Sequence, residues 1–296
     1  MELTLIYAPW FVFVMPLVTT LALPFFHRII PLYSSVPSTF IYGLFFSYSF
    51  FLLVTLTERA LVYQTNLYFF RFGLYADKLT AATLLIVSAV CWQTILTSPL
   101  LKDGQDGFLA YLSFPLLTLF LSAFLLSDSL IIALVLWLLL DFGVLYGQTW
   151  KNSKTDEHDW KVFLLLQASS FFMLGSGFAL WSSQQMSNFS QLAQLASTLS
   201  PTMTTAALTI IFIGAGIKLG SFPYSFWTPI SVSTQSSVQA LPLMHGVSAV
   251  IPGIYLLTRL SPLYEITTIP IPFLLLGATF LGFLVFIELE KRKYHG

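Results

Sequence analysis

Apolar segments of about 20 residues recur along almost the whole chain, and they limit its fold more than any other feature. A helix of that length is what is needed to cross the hydrocarbon core of a bilayer. Only 9% of the 296 residues are charged and 56% are hydrophobic, whereas soluble domains carry about 25% charged residues. So few charges do not cover a water-exposed surface, and the sequence therefore predicts a polytopic membrane protein.

The segments predict one all-α domain over residues 1–296, a polytopic transmembrane helix bundle of about nine spans. No Ser/Gly-rich linker divides the chain. Only Ser127, Asp128 and Ser129 separate the fourth and fifth spans, which predicts a tight helical hairpin. The predicted spans cover residues 3–25, 38–57, 79–98, 108–127, 129–149, 161–182, 203–221, 236–258 and 265–287.

The loops predict an orientation for the bundle. With the N-terminus outside, eight Lys and Arg residues fall in cytoplasmic or matrix loops and four fall on the opposite side, as the positive-inside rule requires. The first residues form neither a basic signal-peptide region nor an Arg/Ser-rich leader, so the first segment is expected to be a resident helix. Residues 187–197 carry apolar side chains at helical spacing, which predicts a helix along the membrane interface.

Several classes of function are not expected. The net charge is zero and no basic tract stands out, which argues against nucleic acid as a partner. Cys91 is the single cysteine, so neither a disulfide framework nor a cysteine-based metal cluster is expected. One intramembrane imidazole does not make a paired-histidine haem site, and no Gly-x-Gly-x-x-Gly loop for a nucleotide occurs. We expect no metal-binding or cofactor-binding residue in this chain.

Three ionisable residues fall inside predicted spans. They are Asp141 in the fifth span, Lys218 in the seventh and His245 in the eighth. A charge at bilayer depth costs about 2.5–3.5 kcal/mol on insertion scales, and such residues usually line an ion path, a water cavity or a bundle interior. A carboxylate, an amine and an imidazole on neighbouring helices are suited to relaying protons, because the charge of each depends on the others.

Each of the three residues also has a simpler interpretation. Asp141 would serve as a hydrogen-bond partner in helix packing, and His245 as a satisfied core histidine. Lys218 would extend its long side chain to a nearby membrane surface. Around Lys218, Gly214, Gly216, Gly220, Pro223 and Pro229 predict a broken seventh helix, and the alternative there is a plain proline kink.

The residues from Lys218 onward resemble a known family. Lys218-Leu-Gly-x-x-Pro223-x-x-Phe226-Trp227-x-Pro229 is similar to the seventh-helix motif of the antiporter-like membrane-arm subunits of respiratory complex I, most of all a shortened or split subunit 2. The stretch from His245 through Gly253-Ile-Tyr255-Leu-Leu-Thr-Arg259 resembles the eighth helix of that family. Tyr75-Ala-Asp77-Lys-Leu-Thr resembles the opening of the third helix, and the run from Lys161 resembles the start of the sixth.

The resemblance implies a subunit that moves protons and carries no redox centre. In it Lys218 is the switching lysine, Asp141 its modulating acid and His245 the relay toward the membrane midplane. It also divides the single domain into peripheral first helices (1–100), an antiporter-like half-channel repeat (108–260) and a last span (265–287). FMN, iron–sulfur clusters and quinone are expected elsewhere in the complex.

The chain departs from the family at several positions. Alignment on Trp137 puts Leu138 where the family has a glutamate, and Asp141 lies one turn further on the same helix. Tyr224-Ser225 stand where the family has Phe-His. The predicted spans are fewer than is usual in the family, which leaves two explanations. Either a companion fragment supplies the missing C-terminal helices, or this is a reduced and divergent subunit.

The resemblance therefore implies a membrane-arm subunit of proton-translocating NADH:ubiquinone reductase, with the other membrane-arm subunits and lipids as partners. One alternative is a subunit of a cation/proton antiporter or of an inorganic-carbon uptake complex. Another is a structural subunit of complex I that moves no protons, which Leu138 in the glutamate position favours. The divergence suggests an organelle-encoded protein of the mitochondrial inner membrane, and the alternative location is a bacterial plasma membrane.

Overall fold

Helices make up most of the computed structural model, which describes residues 2–29, 35–56, 60–67, 70–97, 107–149, 157–184, 188–219 and 240–267. Eight long helices in these ranges coincide with the first eight predicted spans, with ends that differ by a few residues. The helices are α1 (Glu2–Ile29), α2 (Ser35–Thr55), α3 (Lys78–Thr97), α4 (Gly107–Leu126), α5 (Leu130–Thr149), α6 (Glu157–Gln184), the single turn α7 (Leu192–Leu195), α8 (Pro201–Leu219) and α9 (Ala240–Arg259).

Four of these helices are long and apolar enough to cross a membrane. By length and composition, the segments within the described residues that qualify are Ser38–Thr55, Lys78–Leu96, Phe163–Ser182 and Pro201–Leu219. Shorter apolar stretches occur in α1, α4, α5 and α9. The total of about nine spans stays a prediction, since nearly all of the ninth, residues 265–287, lies outside the described part of the chain.

Within the described residues, the all-helical prediction missed a β-hairpin. Strand β1 (Leu61–Leu67) pairs antiparallel with β2 (Phe70–Ala76), from Leu61 opposite Ala76 to Leu67 opposite Phe70. Both strands are rich in the aromatic and branched residues that suit a pleated sheet. Each strand is shorter than a membrane span, and the hairpin falls between the second and third predicted spans.

One end of the bundle is held together by hydrogen bonds between three connecting segments. The Asp128 amide, in the short connection between α4 and α5, donates to the Gly73 carbonyl of β2 (2.9 Å). Its carboxylate accepts from the amide (2.9 Å) and the hydroxyl (2.8 Å) of Ser190. Ser190 belongs to the short helical segment Phe189–Thr198, where the sequence predicted an interfacial helix. The hairpin, the helix connection and this segment therefore share what we call the hairpin end of the bundle.

The hydrophobic core receives side chains from all eight long helices, and one part of it lies where α4, α5 and α9 meet. Trp137 and Phe124 are among the largest fully buried side chains, with Leu130 and Leu134 beside them on α5. Helix α6 packs closely against both α5 and α8. Helix α6 thus lies alongside both helices, and ionisable residues of α5 and α8 come next to each other.

Gly214 permits the close approach of α8 to α6. A Cβ at this position would lie 2.5 Å from Met173 Cγ and 3.2 Å from the Ser169 carbonyl oxygen. A break at these glycines was predicted, but helix α8 continues through Gly214 and Gly216 to Leu219. The other residues of the predicted break, Gly220, Pro223 and Pro229, lie outside the described ranges, and a break there stays a prediction.

We expect Gly214→Ala to destabilise the bundle by about 1–3 kcal/mol, because the added methyl group overpacks the α6–α8 contact. The matched control is Gly175→Ala in α6, where an added Cβ meets nothing within 4 Å. For Gly175→Ala we expect the stability of the bundle to rise by about 0.5–1 kcal/mol, because alanine has the higher helix propensity. The measurement is thermal unfolding in mild detergent, and equal melting temperatures for the two variants would contradict the packing role of Gly214.

Candidate functional site

A buried ion pair lies between α5 and α8. The Lys218 ammonium donates a hydrogen bond to Asp141 Oδ2. The Lys218 side chain is 1% exposed and that of Asp141 is 9% exposed. Lys218 therefore does not extend to a membrane surface, and Asp141 is more than a packing partner for its neighbours. The structure brings together two of the three ionisable residues singled out from the sequence.

Two further residues complete the surroundings of the pair. The Ser170 hydroxyl, on α6, donates to Asp141 Oδ2 over 3.0 Å. The Lys218 ammonium lies 4.9 Å from the centroid of the Trp137 ring on α5, within the range of a cation–π contact. Trp137 is one helical turn from Asp141, so a single helix face presents both to Lys218. Ser170 was not predicted as a site residue, because a serine inside an apolar helix is common.

Leu138, which the resemblance aligned with a glutamate, makes a contact of its own in α5. Leu138 is partly buried, and its carbonyl oxygen accepts a long hydrogen bond (3.5 Å) from the Gln167 side chain of α6. Asp141, one turn further along α5, is the residue that reaches Lys218. The carboxylate of the ion pair therefore comes from Asp141 of α5, in the fifth predicted span.

His245 lies in the first part of α9, the helix that packs against α8. Fourteen residues separate it from Arg259 at the other end of α9, which corresponds to about 21 Å along the helix axis. Its side chain lies outside the described residues. The helix of His245 is thus beside the helix of Lys218, and its role as a relay stays a prediction.

A second ion pair lies at the hairpin end. Arg259, at the end of α9, donates to both carboxylate oxygens of Asp77, over 2.6 and 2.5 Å. Asp77 Oδ1 also accepts from the Thr80 amide (2.9 Å) and so caps the first turn of α3. The sequence matched both residues to motifs without connecting them. A bidentate pair of this kind fixes the end of α9 to the start of α3.

Two tyrosines surround this second pair. The Tyr255 hydroxyl accepts from Arg259 Nε (3.0 Å) and donates to the Leu125 carbonyl at the end of α4 (2.6 Å). The Arg259 guanidinium also lies 4.6 Å from the centroid of Tyr75 in β2. Burial raises the pKa of Tyr75. Three helix ends and the hairpin are therefore connected through one guanidinium.

The charge state of Asp77 follows from the same contacts. Burial alone would raise its pKa, but hydrogen bonds from Arg259 and Thr80, with the charge of Arg259, hold the pKa below its usual value. Asp77 therefore remains ionised and paired at neutral pH. Within the described part of the chain, no three His, Cys, Asp or Glu residues are grouped so that they could hold a metal ion.

Residues 127–287 match the family described as NADH:quinone oxidoreductase/Mrp antiporter, transmembrane. The match covers more than half of the 296 residues and includes Asp141, Lys218 and His245. The chain belongs to this family. Membership confirms the family that the motifs around Lys218 indicated, and with it a membrane protein of the antiporter-like kind. The narrower likeness to subunit 2 stays a prediction.

Relatives in this family come from both respiratory and antiporter complexes. NADH-quinone oxidoreductase subunit L of Neisseria meningitidis is 25% identical over 250 residues, which is 76% of this chain and 36% of that protein. Na(+)/H(+) antiporter subunit A1 of Staphylococcus haemolyticus is 28% identical over 205 residues, 66% of this chain and 25% of that protein. The chain thus spans about a third or less of the length of these curated relatives.

Solved structures show the same fold. The Mrp complex from Dietzia sp. matches with a TM-score of 0.72 at 18% identity, over 89% of this chain and 29% of that chain. Respiratory complex I from Thermus thermophilus matches with a TM-score of 0.64 at 19% identity, over 84% of this chain and 52% of that chain. At these identities the likeness shows the antiporter-like fold alone.

The Asp77–Arg259 pair generates a prediction for the pH dependence of stability. The folded-state pKa of Asp77 is depressed. Its contribution to the free energy of unfolding is therefore fully present above the pKa of an unfolded Asp, about 3.9. That contribution is lost as pH falls through the lower folded-state value. We expect Asp77→Asn to destabilise the protein by about 1–3 kcal/mol at pH 7, and by less as pH falls below about 4.

The measurement is the unfolding free energy in mild detergent at several pH values. Glu265→Gln is the matched control, since Glu265 is an exposed carboxylate close to the same end of the bundle, and its effect is expected to be small at every pH. If the loss of unfolding free energy in Asp77→Asn stayed constant down to pH 3, that result would contradict an ionised, paired Asp77.

Proposed function

We propose that this chain is a membrane-arm subunit of proton-translocating NADH:quinone oxidoreductase, in which it forms a proton half-channel. The single observation that carries the proposal is the buried contact of Lys218 with Asp141. Replacing a buried ion pair by apolar residues of similar volume is often neutral or even stabilising. A family member that keeps a lysine and a carboxylate together inside an apolar bundle is therefore best explained by their use in ion transfer.

The mechanism depends on the separation of this pair. While Asp141 and the Trp137 ring lie beside the ammonium, they stabilise the protonated form of Lys218. When Lys218 moves away from Asp141 this stabilisation is lost, and the amine can pass its proton to an acceptor further along the path. Ser170 donates to Asp141 in the paired state, and it can continue to do so after Lys218 leaves, so that the carboxylate is not left without a hydrogen bond.

His245 is the proposed acceptor. Its helix packs against the helix of Lys218, and an imidazole is suited to accepting and releasing a proton near neutral pH. The return of Lys218 to Asp141 after reprotonation completes the cycle. Each proton that enters at Lys218 leaves through His245, so the chain itself undergoes no net chemical change and needs no redox group of its own.

A second candidate function is cation/proton antiport outside a respiratory complex. The relationship to antiporter subunit A1 and the fold of the Mrp complex both favour it. The same ion pair would then exchange a proton for a metal cation across the membrane. Inorganic-carbon uptake and a purely structural role in complex I are the remaining alternatives, and they are separated by the experiments below.

The respiratory proposal implies particular partners and a location. Other membrane-arm subunits would flank this chain, together with lipids. FMN, iron–sulfur clusters and quinone would be bound by other subunits of the complex. The location would be the mitochondrial inner membrane, or the plasma membrane if the source is bacterial.

We expect Lys218→Ala to lower the number of protons translocated per electron without loss of the assembled complex. The physical reason is that a positioned proton-transfer group contributes about 10²–10⁴-fold to the rate of its step. The measurement compares NADH oxidation with acidification in sealed membrane vesicles that contain the native complex. Lys78→Ala is the matched control, because Lys78 is an exposed lysine at the start of α3.

An unchanged proton-to-electron ratio in Lys218→Ala would contradict the proton-transfer role. Simultaneous replacement of Asp141, Lys218 and His245 gives the stricter comparison. Wild-type pumping by that triple variant would support a structural subunit that only bridges its neighbours.

The partners provide an independent prediction. Mass spectrometry of the intact complex, isolated in mild detergent through a tag on this chain, is expected to find flavin-binding and iron–sulfur subunits together with a small hydrophobic chain. That set is expected because electron transfer and proton transfer have to be coupled within one assembly. Recovery of transporter subunits alone would favour antiport, and a large zinc-containing partner without iron–sulfur subunits would favour carbon uptake.

A further inference from the structure

Three buried aromatic rings fill the space between the two ion pairs. Trp137 of α5, Phe124 of α4 and Tyr255 of α9 are each at most 2% exposed. The ring centroids of Trp137 and Phe124 are 5.9 Å apart with planes at 61°, and those of Phe124 and Tyr255 are 5.9 Å apart at 63°. Both contacts are edge-to-face, the arrangement that aromatic side chains prefer. We call these three residues the aromatic series.

A cation lies at each end of the aromatic series. The Lys218 ammonium is 4.9 Å from the centroid of Trp137, and the Arg259 guanidinium carbon is 5.0 Å from the centroid of Tyr255. Both distances fall within the range of cation–π attraction. Each cation is also paired with its own carboxylate, Asp141 and Asp77 respectively. The two ion pairs are therefore joined by an unbroken run of contacts through four helices.

The position of Tyr255 is set by the second ion pair. Its hydroxyl accepts from Arg259 Nε (3.0 Å), and Arg259 is oriented by both carboxylate oxygens of Asp77. The hydroxyl also donates to the Leu125 carbonyl (2.6 Å), next to Phe124 in α4. The Thr80 hydroxyl, which also contacts Asp77, is the third partner of the Tyr255 hydroxyl (3.1 Å). A change in the charge of Asp77 would release Arg259, and with it one of the three hydrogen bonds that hold the Tyr255 ring against Phe124.

We infer that the Asp77–Arg259 pair controls the position of the Lys218 ammonium relative to Asp141. The aromatic series transmits this control, with Phe124 as the central positioning residue. Protein interiors are close-packed, so neighbouring rings have to absorb any displacement of one ring. A shift of Tyr255 therefore changes how Trp137 faces the ammonium, and with it the fraction of time that Lys218 spends against Asp141. The inference rests on the proposed function of Lys218 and adds control from the hairpin end of the bundle.

The test is a double-mutant cycle in membranes that contain the native complex. Asp77→Asn is combined with Phe124→Leu, and transport is measured for each single variant and for the pair. We expect Asp77→Asn to lower transport by about fivefold or more, the usual lower range of coupling between sites. In the Phe124→Leu background the same change is expected to have little further effect, whereas independent sites would give effects that multiply.

Phe45→Leu is the matched control for Phe124→Leu. Phe45 is a fully buried aromatic residue whose ring contact is with Tyr42, away from the aromatic series. In the Phe45→Leu background Asp77→Asn is expected to keep its full effect. Tyr255→Phe is a second probe, because it keeps the ring and removes only the hydroxyl that Arg259 contacts. It is expected to resemble Asp77→Asn, and it decides the test if Asp77→Asn does not assemble.

Trp137 fluorescence provides a readout that does not depend on transport. The chain has seven tryptophans, so each variant is compared with the same variant carrying Trp137→Phe, and the difference is the Trp137 emission. We expect Asp77→Asn and Tyr255→Phe to shift this emission when Phe124 is present, and not in the Phe124→Leu background. An unaffected transport rate in Lys218→Ala would overturn the proposed function and leave this optical test of the coupling standing.

Two results would overturn the inference itself. One is an unshifted Trp137 emission in both Asp77→Asn and Tyr255→Phe, in complexes that assemble at the wild-type level. The other is a transport cycle in which the effects of Asp77→Asn and Phe124→Leu simply multiply. Either result would show that the second ion pair serves only to hold the ends of α3, α4 and α9 together.

Discussion

The buried contact of Lys218 with Asp141 is the interaction on which the arrangement of the surrounding helices depends. Removing two charges from water costs several kcal/mol per ion, and the attraction between them offsets this only when the geometry is good and further polar contacts are present. The bundle meets that requirement by placing Ser170 against the carboxylate and the Trp137 ring beside the ammonium. Three helices, α5, α6 and α8, have to be in register for these contacts to exist at once.

Close helix packing makes this register possible. The absence of a side chain at Gly214 lets α8 approach the Ser169 and Met173 region of α6, and Ser170 lies on α6 between these two residues. Gly253 plays the same part between α9 and α8, since a Cβ there would lie 2.7 Å from Leu219. Gly214, which the sequence assigned to a broken helix, and Gly253 therefore both act as points of close contact between α8 and its neighbours.

The hairpin end contributes a second, differently built charge pair. Asp77 and Arg259 are held by bidentate geometry and by capping of α3, and they lie at the end of the bundle, outside its apolar middle. Their attachment to Tyr255 brings them into contact with the same aromatic core that supports Trp137. In the described part of the chain, the bundle thus has one ion pair at its hairpin end and one, Lys218–Asp141, in its interior.

The sequence by itself determined the membrane class, the positions of eight long helices and the family, because each of these depends on local composition or on a short motif. It also singled out Asp141 and Lys218, because an ionisable side chain is conspicuous in an apolar span. Tertiary structure alone decided that these two meet, that Ser170 and Trp137 join them, and that Asp77 pairs with Arg259 across 182 residues. The physical reason is that the local sequence of a span shows that its side chains can be buried in a membrane helix. Which side chains face each other depends on the rotation and approach of neighbouring helices.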